Sequence, residues 1–222
     1  MMINIVAIED DMMFLIGLEQ TLKKEPFNLI GKTDNVTEGM QLLRKTNPDL
    51  VIIDMSLKQG ESGVTALSSI SRSLPHLKSL VLTASSQFEL ALKCLSVGAD
   101  GYLIKGQQPE NIRAVIKTVY EGGIYLDPSF KTDFNHYFTF PNSHLIHSAT
   151  SSESKEILQK FSAAELEVFQ LIGNGYTNKQ IATITHKPID TIKSIIVRIF
   201  HKLNLKNRTL VALKAYELGL IA

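Results

Sequence analysis

The feature that most constrains the fold is an alternation, over residues 1 to 125, of short apolar runs with segments of helical periodicity. The runs are nearly continuous and rich in β-branched residues, which is typical of strands buried on both faces of a parallel sheet. They are Ile3 to Ile8, Phe27 to Ile30, Leu50 to Ile53, Ser79 to Leu82 and Gly101 to Ile104. Because these strands alternate with helices, we predict an α/β domain with a doubly wound, five-stranded parallel sheet.

The end of the chain has a different pattern, because residues 161 to 222 are helical in period throughout. Ser162 and Glu165 form a capping-box sequence before the first of four short helices. The third helix is predicted from Ile189 to about Leu203, after Pro188. Four helices in so short a segment predict a small all-α domain, whose second and third helices fit a helix-turn-helix.

The segment between these patterns is predicted to be a linker. Residues 126 to 160 contain Pro128, Pro141 and a polar stretch from Ser148 to Ser154. Short helices are expected near residues 129–138 and 153–160. An aromatic cluster in the linker is expected to pack on one of the domains, and it consists of Phe134, Tyr137, Phe138 and Phe140. The predicted domains are therefore 1–125 and 161–222, joined by the linker 126–160.

Charge and composition narrow the class of function. The net charge is only +1, but residues 161 to 222 carry eight basic and four acidic residues, an asymmetry expected when one end of a chain meets nucleic acid. No apolar run approaches the roughly 18 residues of a membrane span. The first residues lack the basic region of a signal peptide, and the single cysteine, Cys94, excludes an intramolecular disulfide. We therefore expect a cytoplasmic protein without a membrane partner.

Polar side chains follow four of the predicted strands at the point where each strand ends. Glu9 and Asp10 follow the first strand, Asp54 the third, Thr83 the fourth and Lys105 the fifth. Sites in doubly wound sheets lie at this carboxyl edge. Taken singly, each of these residues is more often a cap, a turn residue or a surface charge. Their joint placement predicts one acidic pocket.

The pocket suits phosphoryl transfer to a carboxylate. Asp54 would be the nucleophile. Carboxylates of Glu9, Asp10 and Asp54, with the backbone carbonyl of Ser56, would hold Mg²⁺, which offsets their mutual repulsion and the charge of the phosphoryl oxygens. Lys105 and Thr83 would each bind one phosphate oxygen.

Residues 1 to about 125 resemble the receiver domains of two-component response regulators. The matching stretches are Ala7 to Asp11, Val51 to Met55, Val81 to Ala84 and Gly98 to Lys105. The resemblance implies that Asp54 is the phosphoacceptor and that Thr83 and Tyr102 form an aromatic switch. In that switch Thr83 turns toward the phosphate and Tyr102 moves inward.

Two stretches depart from the pattern of this family. The loop from Met55 to Gly63 lacks the usual proline and looks one residue longer, and Lys105 is followed by Gly106 instead of a proline. Neither change removes a phosphorylation residue. We expect both to alter the dynamics of the loop and the lifetime of the phosphate.

Residues 161 to 222 resemble the LuxR-type helix-turn-helix of the NarL/FixJ response regulators. The matching stretches are Phe161 to Val168, Gly175 to Ala182, Thr191 to Lys193 and Lys202 with Leu203. The resemblance implies that the third helix enters the major groove of promoter DNA. Residues that would face the groove are Lys193, Ser194 and Val197, and those that would contact phosphates are Lys179, Thr191, Arg198 and Lys202.

The segment Ile195-Ile196-Val197 is unusually apolar for a recognition helix. One interpretation is that base reading depends on Lys193, Ser194 and apolar contact with thymine methyl groups, so that DNA binding is weak or needs a dimer. The other is that two of the three residues belong to the core of the domain.

The sequence thus predicts a transcription regulator and not an enzyme. A partner histidine kinase or a small phosphodonor would phosphorylate Asp54, and the active form would be a homodimer on promoter DNA. A phosphatase of the haloacid-dehalogenase type would need a second carboxylate two residues after the nucleophile, where this chain has Ser56. A phosphorylation-independent receiver that acts as a docking or dimerisation module, with weak DNA binding, remains the alternative.

Overall fold

The computed structural model describes residues 2–57, 62–130, 132–133, 151–205 and 207–221, which divide into two compact units. One unit consists of Met1–Tyr120 with Tyr125–Asp127, and the other of Glu121–Ile124 with Pro128–Ala222. Each unit has a hydrophobic core of its own, as independently packed domains do.

The first unit is a parallel sheet whose strands alternate with helices along the chain. Its strands are β1 Ile3–Ile8, β2 Phe27–Thr33, β3 Leu50–Ile53, β4 Lys78–Thr83, β5 Gly101–Ile104 and β6 Tyr125–Leu126. Its helices are α1 Met12–Leu22, α2 Val36–Thr46, α3 Gly63–Ser73, α4 Phe88–Val97 and α5 Pro109–Tyr120. The strand order β2-β1-β3-β4-β5-β6, with every pair parallel, confirms the predicted doubly wound α/β architecture.

The sheet contains a sixth strand in addition to the five predicted. β6 pairs with β5, as the Tyr125 N–H donates to the Asp100 carbonyl at 3.1 Å and the Asp127 N–H to the Tyr102 carbonyl at 2.9 Å. A two-residue strand is too short to show any periodicity in the sequence. It spans the position at which the first domain was predicted to end.

Helices cover both faces of the sheet. Ile5 and Ala7 of β1 join residues of α1 and α5 in one core cluster. Ile8, whose side chain points to the opposite face, packs against α2, where a Cβ atom added to Gly39 would lie 2.6 Å from Ile8 Cδ1. The faces are therefore buried, and the ends of the strands remain as the place for a site.

The second unit is all-α in its described part. Its helices are α6 Ser151–Leu158, α7 Ala163–Gly173, α8 Asn178–Ile184, α9 Ile189–Leu203 and α10 Arg208–Glu217. The last four are the predicted helical C-terminal domain. The predicted capping box is present at the start of α7, where the Ser162 and Glu165 side chains each bond the other residue's backbone N–H. The core includes Phe169, Ile181 and Ile199, which are fully buried.

Within the predicted linker, 126–160, the structure describes a 3₁₀ turn at Pro128–Phe130 and the helix α6. The aromatic residues expected to pack from the linker, Phe134, Tyr137, Phe138 and Phe140, lie outside the described residues. Within the described ranges, no helix has both the length and the apolarity needed to cross a membrane.

Candidate functional site

The register of the sheet brings the predicted pocket residues to one edge. Ile8 at the end of β1 pairs with Ile53 at the end of β3, and Thr83 at the end of β4 pairs with Ile104 at the end of β5. Glu9, Asp54 and Lys105, which follow these strands, therefore leave the sheet at the same edge as Thr83. Glu9, Asp54 and Thr83 are almost completely buried there, at 2%, 3% and 0% exposure.

Lys105 joins the two buried carboxylates of the pocket. Its Nζ atom lies 2.7 Å from Glu9 Oε2 and 2.8 Å from Asp54 Oδ2. The Ser56 N–H donates to Asp54 Oδ1 at 3.2 Å, and the Asp11 N–H donates to Glu9 Oε1 at 3.0 Å. These contacts orient both carboxylates, which is what a reacting carboxylate requires of its surroundings.

The protonation states of the pocket follow from burial and from Lys105. Burial raises the pKa of Glu9, and the hydrogen bond from Lys105 offsets only part of the rise. Burial also acts to raise the pKa of Asp54, but hydrogen bonds from Lys105 and Thr83 outweigh it, so this pKa is lowered. The pKa of Lys105 is raised, because the hydrogen bonds to Asp54 and Glu9 outweigh its burial. Asp54 is therefore an ionised carboxylate, the form that acts as a nucleophile.

Three carboxylates of the pocket could hold a metal ion together. One oxygen from each of Glu9, Asp10 and Asp54 lies within 4.8 Å of the others. Hard oxygen donors of this kind suit Mg²⁺. The Lys105 ammonium, which bridges Glu9 and Asp54, shows that the pocket accommodates a cation between its carboxylates. The donor set therefore fits Mg²⁺. Ser56 lies beside it in the loop after β3, and its carbonyl stays a predicted ligand.

The two predicted switch residues lie on neighbouring strands, and both are fully buried. The Tyr102 hydroxyl donates to the Ser85 carbonyl at 2.9 Å, in the loop after β4. Burial raises the pKa of Tyr102 to about 12, so the hydroxyl keeps its proton and remains a donor. The Ser85 N–H in turn lies 3.5 Å from Thr83 Oγ1. Tyr102 is thus buried and connected to Thr83 through the loop after β4.

Phe14 is a pocket residue that the sequence did not indicate. The periodicity of α1 assigns it to the apolar stripe of that helix, with Leu15 and Leu18. In the structure its ring is half-buried, and Lys105 Nζ lies 4.3 Å from the ring centroid, within the range of a cation–π contact. Its position three residues after Asp11, in the first turn of the helix that follows β1, is the signal in the sequence for this role.

The second unit presents the predicted helix-turn-helix as α8, a turn and α9. Thr177 caps α8 with its own capping box, and the turn contains His186 in a left-handed conformation at φ 54°. Residues predicted to meet DNA are all exposed: Lys179 on α8, and Thr191, Lys193, Ser194, Val197, Arg198 and Lys202 on α9. The structure therefore brings the predicted residues together on one helix-turn-helix.

The apolar segment of α9 divides between core and surface. Ile195 and Ile196 are 2% and 8% exposed and belong to the core, whereas Val197 is 54% exposed. Two of the three apolar residues thus serve packing, which agrees with the second interpretation of this segment. Val197 remains as an apolar side chain on the exposed side.

Several polar residues of this surface bond to neighbours in the same unit. Lys193 Nζ lies 3.2 Å from Asp190 Oδ1, and Ser194 Oγ donates to the Asp190 carbonyl at 2.9 Å. Asn178, the first residue of α8, accepts a hydrogen bond from the buried Arg208 at 2.9 Å. Arg208 also donates to the Tyr176 carbonyl, so it fastens the start of α8 to α10.

Comparisons with known proteins agree with both halves of the chain. Residues 5–117 match the model of the response regulator receiver domain, and residues 159–215 match that of the bacterial regulatory proteins of the luxR family. The oxygen regulatory protein NreC of Staphylococcus epidermidis is 32% identical over 206 residues, which are 92% of this chain and 93% of that protein.

Solved structures share the fold. The response regulator ChrA of a heme-sensing two-component system matches with a TM-score of 0.51 and 22% identity, covering 99% of both chains. The RcsB response regulator of Salmonella typhimurium matches with a TM-score of 0.55 and 21% identity, covering 96% of this chain and 97% of that one. Together with the family models and the relative of nearly equal length, these matches show that the chain belongs to the NarL/FixJ response regulators, which are transcription regulators with a receiver domain and a LuxR-type DNA-binding domain.

Proposed function

We propose that Asp54 is the phosphoacceptor of this response regulator. The observation that carries the proposal is the pocket itself, in which Lys105 bridges the buried carboxylates of Glu9 and Asp54 at the ends of β1 and β3. An Asp54 oxygen would attack the phosphorus of a donor. A P–O bond to Asp54 forms, and the bond between phosphorus and the leaving group breaks with its electron pair going to that group.

Each side chain of the pocket has a distinct task in this transfer. Lys105 lies on Asp54 Oδ2 before the reaction, and we infer that it then binds a phosphoryl oxygen. Thr83 would bind another. Glu9, Asp10 and Asp54 would hold Mg²⁺, with the Ser56 carbonyl as a further ligand. When bound, Mg²⁺ would supply positive charge against the carboxylates and the phosphoryl oxygens.

The switch would work through the loop after β4. Thr83, which bonds Asp54 in this structure, would shift to bind the phosphate, and the Tyr102 hydroxyl donates to the Ser85 carbonyl of the same loop. A shift of this loop changes the surface around β5 and the neighbouring helices. The change would allow dimerisation, or free the DNA-binding unit, so that a homodimer binds promoter DNA.

The partners follow from the family and the pocket. A histidine kinase, or a small phosphodonor, would supply the phosphoryl group in the cytoplasm.

Lys193, Ser194 and Val197 would face the major groove, and Lys179, Thr191 and Arg198 would contact phosphates. Lys202 was also predicted to contact a phosphate. Its ammonium group instead bonds Glu165 and the Lys160 carbonyl, which supports a role in holding the helices of its own unit together. The phosphorylation-independent alternative is not favoured, because the pocket retains its carboxylates, Thr83 and Lys105.

The test of the proposal is phosphate uptake by the full-length protein. With acetyl phosphate and Mg²⁺, intact-mass measurement should show one added phosphoryl group in the wild type and none in Asp54→Ala. Asp34→Ala, which removes an exposed carboxylate from the same unit, is the matched control and should still be labelled. One added phosphoryl group in Asp54→Ala, at the level seen in the wild type, would disprove the assignment. Mapping of bound genomic DNA with and without Asp54 then tests the switch and identifies the promoters.

A further inference from the structure

A buried carboxylate, that of Glu165 on α7, lies against the C-terminal half of the recognition helix α9. Glu165 is 4% exposed and accepts hydrogen bonds from the Ser162 N–H and hydroxyl at 2.8 and 3.0 Å. The same carboxylate forms ion pairs with Arg198 and Lys202, which lie one helical turn apart. Both cations were predicted to contact DNA phosphates, so Glu165 competes with the DNA for each of them.

Lys202 has more contacts within the unit than Arg198 has. Its Nζ atom lies 2.6 Å from Glu165 Oε2 and donates to the Lys160 carbonyl at 2.9 Å. These two bonds use two of the three hydrogens of the ammonium group. The same Nζ lies 5.3 Å from the centroid of the Phe161 ring, close enough for a cation–π contact. All three contacts direct Lys202 toward the junction of α6 and α7.

Arg198 keeps most of its side chain in solvent. It reaches Glu165 Oε1 through Nε, at 3.3 Å, and 55% of its side chain is exposed, compared with 35% for Lys202. A guanidinium group has five N–H donors in a planar fork, and the outer edge of such a fork suits a phosphate group. Arg198 can therefore contact Glu165 and a DNA phosphate at the same time.

We propose that Glu165 divides the work of the two cations: Lys202 holds α9 against α7, and Arg198 contacts DNA. The proposal deepens the function proposed above and rests on its DNA-binding surface. The hydrogen bond from Lys202, followed by that from the Ser162 N–H, lowers the pKa of Glu165 to about 2. The carboxylate is therefore ionised at neutral pH. By pairing with Lys202, the Glu165 carboxylate keeps one positive charge away from the DNA phosphates. This pairing lowers the affinity for DNA that does not depend on sequence.

The experiment is the salt dependence of binding to a mixed-sequence DNA duplex, measured with the full-length protein with and without acetyl phosphate. Each lysine or arginine that contacts a phosphate adds about 0.9 to the slope of log K against log salt. Arg198→Gln should reduce the slope by about 0.9. Lys202→Gln should leave the slope unchanged and lower the melting temperature of the protein. Equal reductions in both variants, a reduction in Lys202→Gln alone, or no reduction in either would overturn the proposal.

A second variant tests Glu165 directly. Glu165→Gln removes the charge but keeps an oxygen that can accept from Ser162, since glutamine also completes a capping box. Lys202 should then become available to phosphates, so the affinity should rise and the slope steepen by up to about 0.9. A purely structural role would weaken binding instead. Glu217→Gln, which removes an equal charge from the Lys214 ion pair on α10, is the matched control.

A Glu165→Gln slope no steeper than that of Glu217→Gln contradicts the inference. If Glu165→Gln does not fold, the comparison of Arg198→Gln with Lys202→Gln still decides the matter. Lys179→Gln separates the inference from the proposed function, since Lys179 is exposed and is proposed to contact a phosphate. Loss of slope in Lys179→Gln supports the DNA-binding surface whatever Arg198 and Lys202 do, whereas an unchanged slope means that the surface itself is wrong.

Discussion

The acidic pocket and the DNA-binding surface hold their charges in opposite environments. In the pocket, Glu9 and Asp54 are almost completely buried and share the ammonium group of Lys105. On the proposed DNA-binding surface, Lys193 and its partner Asp190 have side chains that are 59% and 86% exposed. Buried charges depend on one another for their protonation state and for stability, whereas exposed charges depend mainly on water.

This difference suits the two tasks. The proposed reaction with one phosphoryl group needs fixed atoms in the pocket, and burial among paired charges fixes them. A surface that meets a charged DNA backbone needs cations that can exchange water and counterions for phosphates. The environment of Glu165 is intermediate between these two. Its carboxylate is buried, but the Arg198 and Lys202 side chains with which it forms ion pairs are partly exposed.

The largest effect that the comparison predicts is the loss of Lys105. Lys105→Gln leaves Glu9 and Asp54 as two buried, mutually repelling carboxylates, so without divalent metal the free energy of unfolding should fall by about 2 kcal/mol. Adding Mg²⁺ should restore part of the loss. Urea unfolding with and without Mg²⁺ measures both effects.

Lys78→Gln is the matched control for this loss. Lys78 pairs with one carboxylate, that of Asp100, and its side chain is 29% exposed compared with 15% for Lys105. We expect a smaller loss of stability and no response to Mg²⁺. If the two variants lose equal stability and respond equally to Mg²⁺, the ion pairs of Lys105 contribute no more to stability than the ordinary ion pair of Lys78 does.

An intermediate effect is expected at Glu165 as the pH falls. Its pKa is lowered to about 2 from an ordinary value of 4.5. Its contribution to stability is therefore fully present above pH 4.5 and is lost as the pH falls through about 2. The contribution should be about 1 kcal/mol, since the exposure of Arg198 and Lys202 lets solvent screen their attraction.

The measurement is the difference in unfolding free energy between wild type and Glu165→Gln, followed from neutral pH to pH 2. Taking the difference cancels the titration of other carboxylates. It should be constant above pH 4.5 and shrink below it. A constant difference down to pH 2 would mean that the charge of Glu165 adds nothing to the stability of its unit.

The smallest effect on stability is expected at Lys193. Its ion pair with Asp190 is solvent-exposed, so Lys193→Gln should change the unfolding free energy by less than about 0.5 kcal/mol. DNA binding should respond in its sequence preference: because Lys193 is proposed to face base edges, the preference for a promoter fragment over a mixed-sequence duplex should fall by about 1 kcal/mol. Lys93→Gln, which removes an exposed charge from α4, should change neither. A large loss of stability in Lys193→Gln would break the contrast between the two regions.

The sheet and its pocket could be predicted because their signals are local. Ile3 to Ile8 and Leu50 to Ile53 are apolar runs whose bounds match β1 and β3. A chain that alternates strands and helices must bring the carboxyl ends of its strands to one edge, so the residue after each strand is placed by the connectivity. β6 was not predicted, because a strand of two residues is too short to show a periodic pattern of apolar residues. It is held in the sheet by hydrogen bonds to the carbonyl groups of Asp100 and Tyr102.

The sequence by itself determined the two-domain order, the parallel sheet, the strand-end carboxylates and the helix-turn-helix, because each depends on periodicity or on spacing along the chain. Only the tertiary structure decided which charges pair. Phe14 on Lys105, and Glu165 on Arg198 and Lys202, are contacts between residues far apart in the chain. They arise from the packing of one helix on its neighbours, which no local pattern records.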